Sequence, residues 1–258
     1  MNPAPEKPSR AGNPAIDFLV ALQFLTVAPP VIRRMFTPDE LGRATAYFPL
    51  VGAVVGVVLM GAHWLLGLAF PPAVQAALTL VVWTGLSGAL HLDGFLDACD
   101  GLLGGFTPES RLQIMRDERV GAFALAGGLL LFLVKFAALA SLPRAFPALL
   151  VAPVLGRWAM AVAIVIFPYA RPEGLGKALK DHAGRLQSLI ASILALAIAG
   201  GTAGGIGLVT GLVAAGVTWA GAAFTLRRIP GLTGDIYGAL NELVETTVLL
   251  VFVSRWAL

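Results

Sequence analysis

AVQAALTLVVWTGLSGALHLDGFLDACDGLLGG, residues 73–105, decides how this chain is read. Its first part, 73–90, is almost purely apolar. Its second part sets down Asp93, Asp97 and Asp100 among Gly94, Gly101, Gly104 and Gly105. The rest of the chain resembles the first part. Of 258 residues, 57% are hydrophobic and 13% charged, against about 25% charged in soluble domains. This composition predicts an all-α, polytopic integral membrane helix bundle. A net charge of +3 without a long basic patch argues against nucleic-acid binding. Cys99 is the one cysteine, so no intrachain disulfide can form.

A bilayer core needs roughly 20 apolar residues of helix. The runs that qualify are 45–70, 73–90, 121–141, 146–168, 186–200, 203–226 and 236–256. About six to seven transmembrane helices are expected. Residues 15–28 are a weaker apolar stretch ending at Pro29-Pro30, read as an interfacial or half-inserted helix. Residues 1–13 are Pro-rich and polar and are expected to be a disordered tail without a signal peptide. One membrane-embedded domain, 14–258, follows. The run 186–200 is short, and Gly200, Gly201, Gly204 and Gly205 come after it, so a re-entrant pair is an alternative there. Small-xxx-small pairs recur at Gly52/Gly56, Gly201/Gly205 and Gly207/Gly211 and suit close helix packing.

The distribution of Lys and Arg orients the bundle. With the N-terminus cytoplasmic and seven alternating spans, cytoplasmic segments hold fourteen cations: Lys7, Arg10, Arg33, Arg34, Arg43, Arg111, Arg116, Arg119, Arg171, Lys177, Lys180, Arg185, Arg227 and Arg228. Outer segments hold Arg144 and Arg255. The loops 91–120, 169–185 and 227–235 then share the cytoplasmic side.

Asp93, Asp97 and Asp100 are spaced i, i+4, i+7, which puts them on one helix face. Like charges there repel, and a carboxylate near hydrocarbon costs about 2.5–3.5 kcal/mol. A divalent cation would compensate, and hard oxygen ligands suit Mg²⁺ or Mn²⁺ shared with substrate phosphates. Gly94 and Gly101 would let a phosphate ligand approach the backbone. A solvated acidic helix end is the simpler alternative. Arg116, Asp117 and Arg119 form a second cluster, offering a metal ligand and phosphate-pairing cations. Thr233 and Asp235 open a helix whose free N–H groups favour anions. Asn241, Glu242 and Glu245 then run into the last span. Arg157, inside a span, must face the bundle interior and meet an acid or a phosphate. Lys135 has a stem long enough to snorkel. His91 stands where it can bond a phosphate or sit at the interface.

These stretches together resemble the cobalamin synthase (adenosylcobinamide-GDP ribazoletransferase) family. The resemblance rests on FLT (24–26), FPLVGAVVG (48–56), HLDGFLDACDGLLGG (91–105), MRDERVGAFA (115–124), GRWAM (156–160), PYARPEGLG (168–176) and GLTGDIYGALNELVE (231–245), in order over nearly the whole chain. Val27 departs from it, standing where the family typically has an arginine. The resemblance implies a Mg²⁺-dependent membrane enzyme of the bacterial cytoplasmic membrane. It would join adenosylcobinamide-GDP to α-ribazole or its 5′-phosphate, release GMP and complete the nucleotide loop of cobalamin. On this reading Asp93, Asp97 and Asp117 hold the metal and Asp100 takes the hydroxyl proton. His91, Gly94, Gly101, Arg116, Arg119, Arg157, Thr233, Asp235, Asn241, Glu242 and Glu245 contact substrate or phosphate. The expected partners are the corrinoid, the ribazole compound and membrane lipids; the oligomeric state is left open. Two rivals remain. A CDP-alcohol phosphotransferase should show an Arg after its DG motif, and this chain has DGFLDAC. A secondary transporter should show an inverted repeat, and none is apparent.

Overall fold

The computed structural model describes residues 12–142 and 145–254. Most of the expected tail, together with Lys7, Arg10, Arg144 and Arg255, lies outside them. The described residues are helical in the order α1 (Pro14–Leu25), α2 (Pro38–Ala44), a 3-10 turn (Thr45–Tyr47), α3 (Phe48–Gly67), α4 (Pro72–Leu86), α5 (Leu90–Gly104), α6 (Pro108–Ile114), α7 (Ala122–Ser141), α8 (Ala145–Ile166), α9 (Leu175–His182), α10 (Arg185–Leu226) and α11 (Gly234–Val253). Five helices are long and apolar enough to cross a membrane, or six if α4 and α5 count as one broken span.

The short helices are specified locally. Thr37 caps α2 and Thr107 caps α6, and in each case the third residue of the helix reaches back to the capping residue. Asn13 Oδ1 caps α1. That helix, at 12 residues, is about 18 Å long and cannot span a bilayer. It is tied to α2 by the buried Asp17, whose carboxylate accepts from Arg43 Nε at 3.1 Å.

The expected single span 73–90 is corrected. α4 ends at Leu86, and the chain turns by 91° before α5 begins. Gly88 (φ 58°) and Ala89 (φ 61°) both take left-handed conformations at this corner. Glycine adopts that geometry freely, whereas alanine does so at a cost. Val27 supports the corner by donating its N–H to Leu86 O at 3.0 Å. The acids therefore lie along a separate helix rather than at the end of a straight span.

The region 185–226 is two antiparallel arms. Gly204 (φ 57°, ψ −133°) breaks the helix in a conformation essentially reserved for glycine. In a straight helix residues 199 and 207 would be about 12 Å apart. Here a Cβ on Gly207 would strike the Ala199 carbonyl, and one on Gly211 would lie 3.3 Å from Leu196. Each arm is about 30 Å long at 1.5 Å per residue, long enough to cross. Gly52 and Gly56 likewise press α3 against α8, where a Cβ on Gly56 would lie 2.8 Å from Leu150 Cα. A Cβ on Gly201 or Gly205 would meet nothing within 4 Å, so that pair makes no close helix contact.

α8 is the most enclosed span, and its Arg157 joins a buried charge network. Arg157 Nη1 donates to Glu245 Oε1. Lys135 Nζ donates to Glu242 Oε2 at 2.5 Å and to Glu245 Oε2 at 2.8 Å. It also sits 5.0 Å from the centre of the Trp83 ring. Lys135 therefore does not snorkel. It is only 3% exposed and bridges α7 to α11. Two cations face two carboxylates, so the network is neutral.

Two predictions follow from this architecture. Cysteines placed at positions 185 and 227 should label from the same side of the membrane, and one at 204 from the other. Removing one member of the network should leave an unpaired buried charge, so Lys135→Met should lower stability by about 3–5 kcal/mol. Adding Glu242→Gln should recover much of the loss in a detergent unfolding assay.

Candidate active site

α5 packs against both α7 and α11. Gly94 is the contact with α11: a Cβ there would be 2.9 Å from Asp235 O. Gly101 packs on α6 and its C-cap Met115, with Arg111 O 2.9 Å from its Cβ position. These two glycines serve helix packing, which corrects the expectation that they receive phosphate. The space where a Cβ would sit is filled by protein.

Asp93, Asp97, Asp100, Arg116, Asp117 and Arg119 line one cavity of about 250 Å³. The sequence clusters 91–105 and 115–120 thus meet in space. Their side chains have different occupations. Asp100 accepts from the Gly121 N–H at 2.6 Å and from the Ala124 N–H at 2.9 Å, one per carboxylate oxygen. It anchors the start of α7, where free N–H groups and the helix dipole favour an anion. This anchoring role is added to the expected one as general base, since each oxygen accepts one bond and keeps a second lone pair. Asp117 is bound by Arg119, at 2.9 Å from Nε and 2.8 Å from Nη2. The guanidinium holds the Asp117 carboxyl down at about 2.

Asp93 and Asp97 accept no hydrogen bond and form no ion pair among the described residues. No set of three His, Cys, Asp or Glu side chains is arranged to hold a metal there. The expected triad of Asp93, Asp97 and Asp117 is therefore not assembled, since Asp117 turns to Arg119. Two unpaired carboxylates on one face still fit Mg²⁺, which keeps waters and takes substrate phosphate oxygens for the rest of its shell.

The third cluster divides. Thr233 caps α11 by accepting from Ile236 N at 3.3 Å, and it is fully buried. Asp235 reaches the acid face of α5 through the Gly94 contact and pairs with Arg171 Nη2 at 2.7 Å. Deeper in, Arg157, Glu242 and Glu245 are consumed by the buried network. Arg157, expected to meet an acid or a phosphate, meets an acid; Glu242 and Glu245, expected to contact substrate, meet Lys135 and Arg157 instead. Asn241 is fully buried against Gly156, with neither amide atom partnered among the described residues. His91 is 1% exposed, and its Nε2 has no partner among them. Neither Asn241 nor His91 opens to the acid cavity.

Arg171 and Tyr169 escaped the sequence reading. A parallel bridge carries them to the start of α11: Ala170 N donates to Leu232 O at 2.8 Å, and Leu232 N donates to Pro168 O at 2.7 Å. The sequence signal was there in PYARP, an arginine between two prolines just beyond a span.

The occupations separate by stability. Asp100→Ala should cost about 1–2 kcal/mol, the value of a lost helix-end anchor. Asp93→Asn and Asp97→Asn should leave the unfolding midpoint unchanged or raise it, because like-charge repulsion at this spacing is worth roughly 0.2–0.5 kcal/mol. Thermal unfolding in detergent reads both.

The family model described as CobS, cobalamin-5-phosphate synthase, matches residues 17–253. A protein of Pseudomonas paraeruginosa named adenosylcobinamide-GDP ribazoletransferase is 44% identical over 237 residues, 90% of this chain and 95% of that one. Proteins of the same name from Pseudomonas syringae pv. syringae and Stutzerimonas stutzeri are each 43% identical, covering 91% of this chain and 98% and 96% of their own. No solved structure matches the chain. With a match that takes in α1 through α11 and the whole acid face, the chain belongs to the cobalamin-5-phosphate synthase family.

Proposed function

We propose that this protein transfers the adenosylcobinamide phosphate of adenosylcobinamide-GDP to α-ribazole or its 5′-phosphate. The observation that carries the reading is the pair of unpaired carboxylates, Asp93 and Asp97, in a cavity walled by Arg116. Unpaired acids beside a cation suit a nucleotide diphosphate neutralised by a divalent metal. The relatives' name supplies the substrate class.

In this reaction a ribose hydroxyl oxygen bonds to the phosphorus that carries the cobinamide arm. The bond from that phosphorus to the GMP oxygen breaks, and the hydroxyl proton passes to water at the cavity mouth. Bound Mg²⁺ would supply charge neutralisation at the diphosphate. Asp93 and Asp97 would hold it, and Arg116 would take part of the charge on the leaving GMP. Asp100 positions the start of α7, which carries the cavity wall at Ala124. The acid face opens at the end of the bundle where Arg111, Arg116, Arg119, Arg171, Arg227 and Arg228 collect. By the positive-inside rule this end is cytoplasmic, in the inner membrane of a bacterium.

Purified protein in liposomes, given adenosylcobinamide-GDP, α-ribazole and Mg²⁺, should yield GMP and a completed cobalamin. Chelating the metal should stop turnover. Asp97→Asn should reduce it at least 100-fold while the protein remains folded in the membrane. Full activity in that variant would sink the metal-ligand role.

A further inference from the structure

A second cavity lies beside the acid cavity and shares Arg116 as its wall. It is lined by Arg116, Tyr169, Arg171, Glu173, the turn Gly174–Gly176 and Gly234, and its volume is about 580 Å³. None of these residues except Arg116 has a part in the transfer step derived above. We propose that this cavity is the acceptor's phosphate site and takes the 5′-phosphomonoester of α-ribazole 5′-phosphate. The inference rests on the proposed reaction and adds where its second substrate is held.

Four features support it. First, the cavity is cationic at its inner wall. The Arg116 side chain has no partner among the described residues. Arg171 donates Nη2 to Asp235 and to Met115 O, and its Nε has no acceptor among them. Second, a helix start lies at the wall. Leu175 and Gly176 open α9, and by position their N–H groups have no intrahelical acceptor. Third, the walls are built before any ligand arrives. The Pro168–Leu232 and Ala170–Leu232 bonds fix the loop, and Gly176 lies against the Tyr169 ring, which in turn faces Tyr237 at 6.1 Å. Fourth, the sizes differ in the right sense. The acid cavity has room for a metal and a diphosphate, whereas 580 Å³ falls in the range of sites that enclose a nucleotide-sized molecule.

The charge balance also assigns the two substrates. In the proposed reaction the donor diphosphate would be neutralised by metal held at Asp93 and Asp97. A phosphomonoester on the acceptor has no metal to meet it and needs arginines and N–H groups instead. The wall shared at Arg116 then puts the acceptor's ribose next to the reacting phosphorus. The family description names a cobalamin 5-phosphate, the product of a phosphorylated acceptor, while the relatives are named for ribazole. A separate phosphate site lets one enzyme accept either compound with different affinity.

The test reverses charge at the cavity rim on the full-length protein in liposomes. Leu175 is exposed at the first position of α9, where an acid also suits the helix dipole. Leu175→Glu should raise the KM for α-ribazole 5′-phosphate about tenfold and change that for α-ribazole less than twofold. Glu173→Arg, also at the rim, should lower the KM for the phosphorylated acceptor only. Equal shifts for both acceptors, or none for either, would overturn the assignment. A shift in the KM for adenosylcobinamide-GDP instead would give the cavity to the donor and overturn it too. If the wild-type protein turns over neither acceptor, the proposed reaction fails by itself. Calorimetric binding then decides the site: it stands if wild type prefers the phosphorylated compound and Leu175→Glu loses that preference. It falls if wild type shows no preference.

Discussion

Glu245 is the residue on which the architecture converges. It lies in the middle of a membrane helix, fully buried, and receives Lys135 from α7 and Arg157 from α8. An acid in that position is tolerated only if it is paired, and its partners come from two different spans. Close pairing therefore couples the vertical registers of α7, α8 and α11. Sliding any one of them by a turn would strand a charge in an apolar interior. Glu242 shares Lys135 and completes a neutral set.

That registration reaches the site through α11 and α7. The polar end of α11 brings Asp235 against Gly94, and the start of α7 brings two backbone N–H groups to Asp100. α5 is thus pinned on both sides of its acid face. Repulsion among three carboxylates would weaken an isolated helix of this sequence. In the folded protein one carboxylate is absorbed by a helix start, and two remain unpaired among the described residues. The bend at Gly88-Ala89 makes this arrangement available, because it turns the acidic helix out of line with α4.

The two neighbouring cavities divide the electrostatic work. One presents carboxylates, and the other presents guanidinium groups and a helix start; Arg116 stands between them. The proposed transfer between two phosphate-bearing molecules would use both signs close together, since a metal-bound diphosphate and a bare phosphomonoester make opposite demands. Neighbouring surfaces of opposite sign also hold their own side chains in salt bridges, such as Arg171 with Asp235 and Arg119 with Asp117.

The class of the protein, most of its spans and the acid face could be read directly from the residues. Apolar length sets what can cross a bilayer, and i, i+4, i+7 spacing sets what shares a helix face, so both are local. The capping residues Thr37 and Thr107 were equally local signals, and the short helices they start went unread. Other features depended on partners far along the chain. Asp100 looks the same as Asp93 in sequence, and only the arrival of Gly121 and Ala124 separates an anchor from a free carboxylate. Lys135 reads as a snorkelling cation until Glu242 and Glu245 are brought beside it. Gly94 reads as a ligand cradle until Asp235 occupies the space. The sequence by itself determined that these charges exist inside a membrane bundle and must be compensated. Tertiary structure alone decided which are compensated by protein and which are left unpaired, because pairing is a property of distance across helices and not of spacing along one.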